Sequence, residues 1–109
     1  MTEMLQFDVH DEYRRAELYL TSGQPTEAAR MLETVVADDP TNQAALELLA
    51  RSYFGSAQLS RAETALARLL ELSPCNAWAR RALGRTLDRL SRHDDAAGHH
   101  RMADVLGAA

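Results

Sequence analysis

The sequence predicts an all-α fold of six helices that form three antiparallel pairs. Three observations lead to this prediction. The chain aligns with itself when it is offset by about 34 residues, and residues that cap helices recur at that spacing. The apolar share of 46% is built mainly from Ala and Leu, with only three Tyr, two Phe and one Trp, which favours helices over strands. With 109 residues, the chain is long enough for one buried core.

Two columns of the self-alignment hold residues that cap helix N-termini. The side-chain oxygen of such a residue accepts a hydrogen bond from a free N–H group in the first turn. Ser60 and Glu63 also have the spacing of a capping box. We expect the first helix of each pair to be capped by Asp8, Asn42 and Asn76, and the second by Thr26, Ser60 and Asp94.

The turn residues agree with these caps. Gly23 and Pro25 separate the first two helices, and Pro40 and Pro74 close the second and the fourth. The predicted helices cover residues 9–22, 26–38, 42–56, 60–72, 76–90 and 94–106.

Each helix pair also has an apolar face to bury. In the third helix, Leu46, Leu49, Ala50 and Tyr53 follow the i, i+3, i+4, i+7 pattern. Small residues repeat in two further columns, where they allow neighbouring helices to approach closely. These are Ala16, Ala50 and Gly84 in the first helices, and Ala28, Ala62 and Ala96 in the second.

The repeated positions resemble the tetratricopeptide repeat family, with three repeats. The residues that carry the resemblance are the small pairs, together with Tyr19, Tyr53, Leu49, Leu83, Leu32, Leu66, Pro40 and Pro74. The third repeat departs from the pattern, with Arg80 in place of Leu46 and His100 in place of Leu32 and Leu66. We expect an N-terminal tail at 1–8 and a single domain at 9–109, with repeats at about 9–42, 43–76 and 77–109.

The resemblance implies that the pairs stack into a short right-handed α-solenoid whose concave groove is lined by the first helix of each pair. It also implies a non-catalytic adaptor that binds another protein in that groove. The predicted groove residues are His10, Tyr13, Arg14, Glu17, Leu20, Glu47, Arg51, Phe54, Trp78, Arg81, Arg85 and Arg89.

Arginines concentrate at the C-terminal end of this predicted groove. Arg81, Arg85 and Arg89 follow i, i+4, i+8 spacing on the fifth helix, and Trp78 precedes them. A guanidinium binds a carboxylate through two parallel hydrogen bonds, so this end suits an acidic or carboxylate-bearing peptide. The Lys, Asn and Arg of the family's two-carboxylate clamp have no counterpart at the matching positions, which hold Tyr13, Glu17, Leu48, Trp78 and Ala82.

Two alternatives stay open. The groove charges could neutralise one another between repeats, with Glu17, Arg51 and Arg85 in one column and Glu47 beside Arg81 in another. The chain could also be a structural module that forms a homodimer through its end helices, using His100, Val105 and Leu106 at one end and Leu5 and Phe7 at the other.

The sequence contains no recognisable catalytic or metal-binding motif. His93, His99, His100, Asp94, Asp95 and Asp104 cluster near the last helix, but no metal-binding motif accompanies them. There is no nucleophile elbow or phosphate-binding loop, and Cys75 has no disulfide partner. We therefore expect no enzyme activity, metal or cofactor.

Composition also bears on the class of partner and on localisation. The chain has twelve Arg and no Lys against sixteen acidic residues, which gives a formal charge of -4 and argues against nucleic acid as a partner. No signal peptide or membrane span is apparent, so we expect a cytoplasmic protein. The exclusive use of Arg is typical of a GC-rich bacterial genome.

Overall fold

A computed structural model describes residues 8–109. Within that range the chain forms six helices and no strands. Each predicted helix bound lies within one residue of the observed one, so the all-α prediction is confirmed. The helices are α1 (Val9–Thr21), α2 (Pro25–Asp38), α3 (Gln43–Gly55), α4 (Leu59–Leu72), α5 (Ala77–Arg89) and α6 (His93–Val105).

The first helix of each pair begins at the predicted cap. The carboxylate of Asp8 accepts hydrogen bonds from the N–H groups of His10 and Asp11 at 3.0 and 3.2 Å. The side-chain oxygens of Asn42 and Asn76 each accept one bond at 3.0 Å, from the N–H groups of Ala45 and Ala79. This column of caps fixes where α1, α3 and α5 begin.

The caps predicted for the second helices are wrong. The helices α2, α4 and α6 begin one residue earlier, after Gln24, Gln58 and Arg92, and none of these three side chains caps its helix. Thr26, Ser60 and Asp94 therefore lie inside the first turn. Glu63 does not close a capping box with Ser60. Its carboxylate instead accepts two bonds from Arg92, at 2.9 and 2.8 Å.

The turn inside each pair explains the earlier start. Gly23, Ala57 and Ser91 occupy one column of the repeat and have φ values of 79°, 59° and 61°. The next residue donates its N–H to a carbonyl near the end of the first helix, as Gln58 does to Tyr53 at 2.8 Å. This left-handed helix ending uses a conformation that suits Gly but is unfavourable for Ala and Ser.

The core lies between the helices and consists of the repeated apolar columns. The two columns of small residues are buried, as predicted. Between them lie Leu32, Leu46, Leu66 and Leu69, each at most 2% exposed. Burial of these side chains against neighbouring helices supplies most of the stability of each pair.

The third repeat packs a histidine where the first two pack leucine. A Cβ atom added at Gly84 would lie only 2.6–2.8 Å from the imidazole of His100. Ala occupies the same column in the other repeats, opposite Leu32 and Leu66. The ring of His100 therefore fits because the residue opposite it is glycine.

Consecutive helices pack against one another along the whole described chain, and α1 also contacts α3. The stack measures 53 × 25 × 20 Å. The contact between α1 and α3, together with side-chain contacts between α3 and α5, places the three first helices along one wall. That wall carries the residues that the sequence predicts for the groove.

Candidate protein-binding groove

An open cavity of about 370 Å³ lies between α3 and α5. Its floor includes the small or apolar residues Ala50, Gly55, Leu66 and Ala82. Its walls carry two aromatic side chains and three arginines, which are Phe54, Trp78, Arg51, Arg81 and Arg85, and the chain at Ala108 and Ala109 also lines it. We call this cavity the groove pocket.

Arginine–aromatic stacking joins the two sides of the groove pocket. The guanidinium of Arg51 on α3 lies 4.9 Å from the ring centre of Trp78 on α5. The reverse arrangement occurs nearby, where Arg89 on α5 lies 4.9 Å from the ring of Phe54 on α3. Contacts of this kind contribute about 0.5–1 kcal/mol at exposed sites. Together they hold the second and third repeats in register.

Arg85 differs from its neighbours because it points into the groove with its charge unneutralised. Its side chain is exposed and forms no ion pair with any other residue in 8–109. Arg51, by comparison, pairs with Glu47 at 3.5 Å. Within the described part of the chain, Arg85 is the groove-pocket arginine with no partner group.

The guanidinium of Arg81 is bound by side chains of α6. Its NH1 atom lies 2.7 Å from Nδ1 of His100, and its NH2 group pairs with the carboxylate of Asp104. The side chain is only 17% exposed, and its Nε is buried without a hydrogen-bond partner among the described residues. Arg81 lines the groove pocket, but its charge is neutralised from outside it.

The structure brings together only part of the predicted site. The α1 residues His10, Tyr13, Arg14, Glu17 and Leu20 do not line the groove pocket, and neither do Glu47 and Arg89. Tyr13 is half-buried, and its pKa is raised by burial and then by the nearby carboxylates of Glu17 and Glu47. The first repeat thus contributes a separate stretch of the wall.

The predicted charge ladder is mostly absent from the described residues. Glu17 forms no ion pair with Arg51, and Glu47 pairs within its own helix and not with Arg81. The bonds that do cross between pairs lie elsewhere. Glu33 of α2 accepts a hydrogen bond from the hydroxyl of Tyr53 at 2.5 Å and lies 4.0 Å from Arg61. Burial and the bond to Glu33 raise the pKa of Tyr53 well above its usual value.

Sequence reasoning missed the stacking pairs and the bonds from Arg81 to α6. An available signal for the stacking was that α3 and α5 each carry one groove aromatic and at least one groove arginine, Phe54 with Arg51 on α3 and Trp78 with Arg89 on α5. Sequence reasoning also missed the bonds of Arg80, which stands in place of Leu46. Its guanidinium donates to the carbonyl of Pro74 at 3.2 and 3.3 Å.

The histidines and acids of the last repeat form hydrogen bonds with one another and with arginine. Asp88 lies 2.8 Å from His93 Nδ1 and 2.9 Å from His100 Nε2, and these bonds hold the pKa of Asp88 below its usual value. Within residues 8–109, no three His, Cys, Asp or Glu side chains are placed so that they could hold a metal ion together. None of the helices described is both long enough and apolar enough to cross a membrane.

The chain belongs to the tetratricopeptide repeat family. Models of this repeat match residues 19–74 and 47–107, and together they span most of the described fold. This confirms the family predicted from the repeated columns, and it defines the class of protein as a helical-repeat module for protein–protein interaction.

Solved structures of MamA are similar to this chain. A truncated MamA from Desulfovibrio magneticus RS-1 is 30% identical, with a TM-score of 0.82 over 87% of this chain and 54% of its own. MamA of MSR-1 is 29% identical, with a TM-score of 0.85 over 93% and 58%. Another MamA crystal structure is 25% identical, with a TM-score of 0.88 over 92% and 58%.

The chain thus spans just over half the length of these MamA structures. No curated protein matches its sequence. The likeness to MamA supports the short α-solenoid of stacked helix pairs.

Proposed function

We propose that the protein is a non-catalytic adaptor that binds an extended segment of a partner protein in the groove pocket. The observation that carries this proposal is the combination of an open apolar floor with the guanidinium of Arg85, which has no ion-pair partner among residues 8–109. An apolar side chain of the partner fits the floor at Ala50 and Ala82, and an adjacent carboxylate reaches Arg85.

The walls of the groove pocket favour the same ligand. Arg51 and Trp78 are already stacked, so their side chains lose little freedom when a peptide binds between the helices. A carboxylate accepts two parallel bonds from a guanidinium, whereas an amide carries no charge to complement Arg85. The preferred segment therefore alternates apolar and acidic side chains.

Binding of two fluorescent peptides tests the proposal. One peptide contains three Leu-Glu repeats, and the other contains Leu-Gln in the same order. We expect the acidic peptide to bind more tightly, and we expect Arg85→Ala to weaken its binding by about two- to five-fold, the range for one exposed ion pair.

Arg30→Ala is the matched control, because Arg30 is an exposed arginine on α2 whose partner is Glu27 in its own helix. Circular dichroism verifies that both variants keep their helices. Equal binding of the two peptides, or equal affinity of the Arg85→Ala variant and the native protein, would contradict the groove assignment.

A second candidate function is self-association through the end helices. Val105 and Met102 on α6 are 81% and 43% exposed, and Leu18 on α1 is 68% exposed. The ring nitrogens of His100 are already bonded to Arg81 and Asp88, and Leu106 is half-buried. Leu5 and Phe7 lie outside the described residues.

Sedimentation of the native protein and of Val105→Asp at high micromolar concentration tests this candidate. A monomer in both cases excludes it.

A further inference from the structure

His100 connects the last helix to the groove wall. Its imidazole packs over Gly84, and its side chain is 27% exposed. Nδ1 lies 2.7 Å from NH1 of Arg81, and Nε2 lies 2.9 Å from Oδ2 of Asp88. Both ring nitrogens therefore face charged partners of opposite sign.

These two partners fix the protonation state of His100. A guanidinium can only donate hydrogen bonds, so Nδ1 must offer its lone pair to Arg81. A carboxylate can only accept, so the ring proton resides on Nε2 and points to Asp88. His100 is thus the neutral Nε2–H tautomer in this arrangement. A second proton on Nδ1 would place two donors face to face, 2.7 Å apart.

We propose that His100 is a positioning residue that sets, through its protonation, whether Arg81 is held against α6 or is free to enter the groove pocket. This inference rests on the proposed binding function of that pocket. Neutral His100 accepts from Arg81 and keeps its charge on the α6 side. Protonated His100 cannot accept, and it repels the guanidinium.

The remaining contacts of Arg81 are its ion pair with Asp104 and a bond of 3.5 Å from NH1 to the backbone carbonyl of His100, which is at the limit of hydrogen-bond length. The carboxylate of Asp104 is 67% exposed, so solvent and salt weaken its attraction for the Arg81 guanidinium. Asp104 also lies four residues after His100 on α6, where a protonated imidazole can share it. Arg81 Nε is buried without a partner in the present arrangement, so a turn toward the groove gives that donor access to water or to a ligand carboxylate.

The charged groups around His100 act in both directions. Arg81 on α5 presents a positive charge to this part of the structure, while Asp88 on α5 and Asp104 on α6 present negative charges. His93 shares Asp88 from the far side. His99 faces Arg80 instead, and burial followed by the charge of Arg80 lowers its pKa.

Nuclear magnetic resonance of the full chain without any ligand tests the positioning step. We expect the nitrogen shifts of His100 to show the Nε2–H tautomer at pH 8. We expect the side-chain Nε signal of Arg81 to change with the same midpoint as His100 as the pH falls. The Nδ1–H tautomer at pH 8, or an Arg81 signal that does not follow His100, would overturn the proposal whatever the groove binds.

Peptide binding tests the consequence for the groove. The Leu-Glu peptide stays ionised at pH 5.5 because the ordinary pKa of Glu is about 4.3. We expect it to bind about two- to five-fold more tightly at pH 5.5 than at pH 8, the gain from one additional exposed ion pair.

Two variants separate His100 from the other histidines. The amide of His100→Gln can accept from Arg81 and donate to Asp88 at both pH values, so we expect it to lose most of the pH dependence. His93 also bonds to Asp88, but it does not contact Arg81. His93→Gln should therefore keep the pH dependence of peptide binding. If His100→Gln kept the full pH dependence of peptide binding, the proposal would be overturned. Failure of the peptide to bind at either pH would contradict the proposed function, while the resonance experiment would still decide the positioning step.

Discussion

At the scale of single residues, the third repeat differs from the others by a matched pair of substitutions. Gly84 and His100 occupy positions where the other repeats hold Ala with Leu. The imidazole takes the space that a Cβ atom at Gly84 would occupy. The same exchange brings a titratable group into contact with Arg81.

We expect Gly84→Ala to destabilise the protein by about 1–3 kcal/mol, because the added methyl group overlaps the His100 ring. Adding His100→Leu should recover part of this loss, since Ala with Leu already packs well in the first two repeats. Chemical denaturation of the two single variants and the double variant measures the coupling. Strictly additive free energies would show that the two side chains do not compete for space.

The turn column supports a second prediction at this scale. Ala57 has φ of 59°, which is unfavourable for a residue with a Cβ atom. We expect Ala57→Gly to stabilise the protein by about 0.5–1 kcal/mol. Gly23→Ala should destabilise it by a similar amount, because Gly23 has φ of 79° at the equivalent position. Thermal unfolding measures both, and shifts in the same direction would contradict this explanation.

At the scale of helices, the first and second members of each pair begin in different ways. The helix α3 has a side-chain cap, whereas α4 follows directly from a left-handed turn. The turn already engages the N–H of Gln58 with the carbonyl of Tyr53. Its geometry, and not a capping side chain, therefore sets the start of the second helix.

This difference predicts unequal effects of two similar substitutions. We expect Asn42→Ala to lower the free energy of unfolding by about 1 kcal/mol, because Asn42 Oδ1 accepts from the N–H of Ala45. Ser60→Ala should change it by less than about 0.5 kcal/mol, since Ser60 caps nothing. Urea denaturation compares the two variants. A larger loss of unfolding free energy for Ser60→Ala than for Asn42→Ala would support the capping box predicted from the sequence.

The helices could be predicted from sequence because each of them is specified locally and repeated. The column of Asp8, Asn42 and Asn76 marks the same helix start three times. The bonds of Arg81 could not be predicted in this way. His100 and Asp104 lie 19 and 23 residues further along the chain, and the contact depends on how α6 packs on α5. Sequence spacing on one helix cannot show which neighbour a long side chain will reach.

At the scale of the whole molecule, the fold is a linear array in which each helix pair depends mainly on its neighbours. The middle repeat is covered on both sides, by α2 and by α5. Among the described residues, the first and third repeats each adjoin only one other repeat. Stability should therefore be graded along the stack.

We expect amide hydrogen exchange to follow this gradient, with the slowest exchange in α3 and α4 and faster exchange in α1 and α6. Mass spectrometry of peptic fragments after timed exchange measures it. Uniform protection across all six helices would indicate one cooperative unit with no graded ends.

Because Trp78 stacks against Arg51 in the groove pocket, its fluorescence is sensitive to what binds there. Trp78 is the single tryptophan of the chain, and its indole is stacked beneath a guanidinium on the wall of the groove pocket. A peptide that displaces Arg51 or covers the ring will alter the intensity or wavelength of the indole emission. Occupancy of the groove can therefore be followed by fluorescence in the unlabelled, unmodified protein.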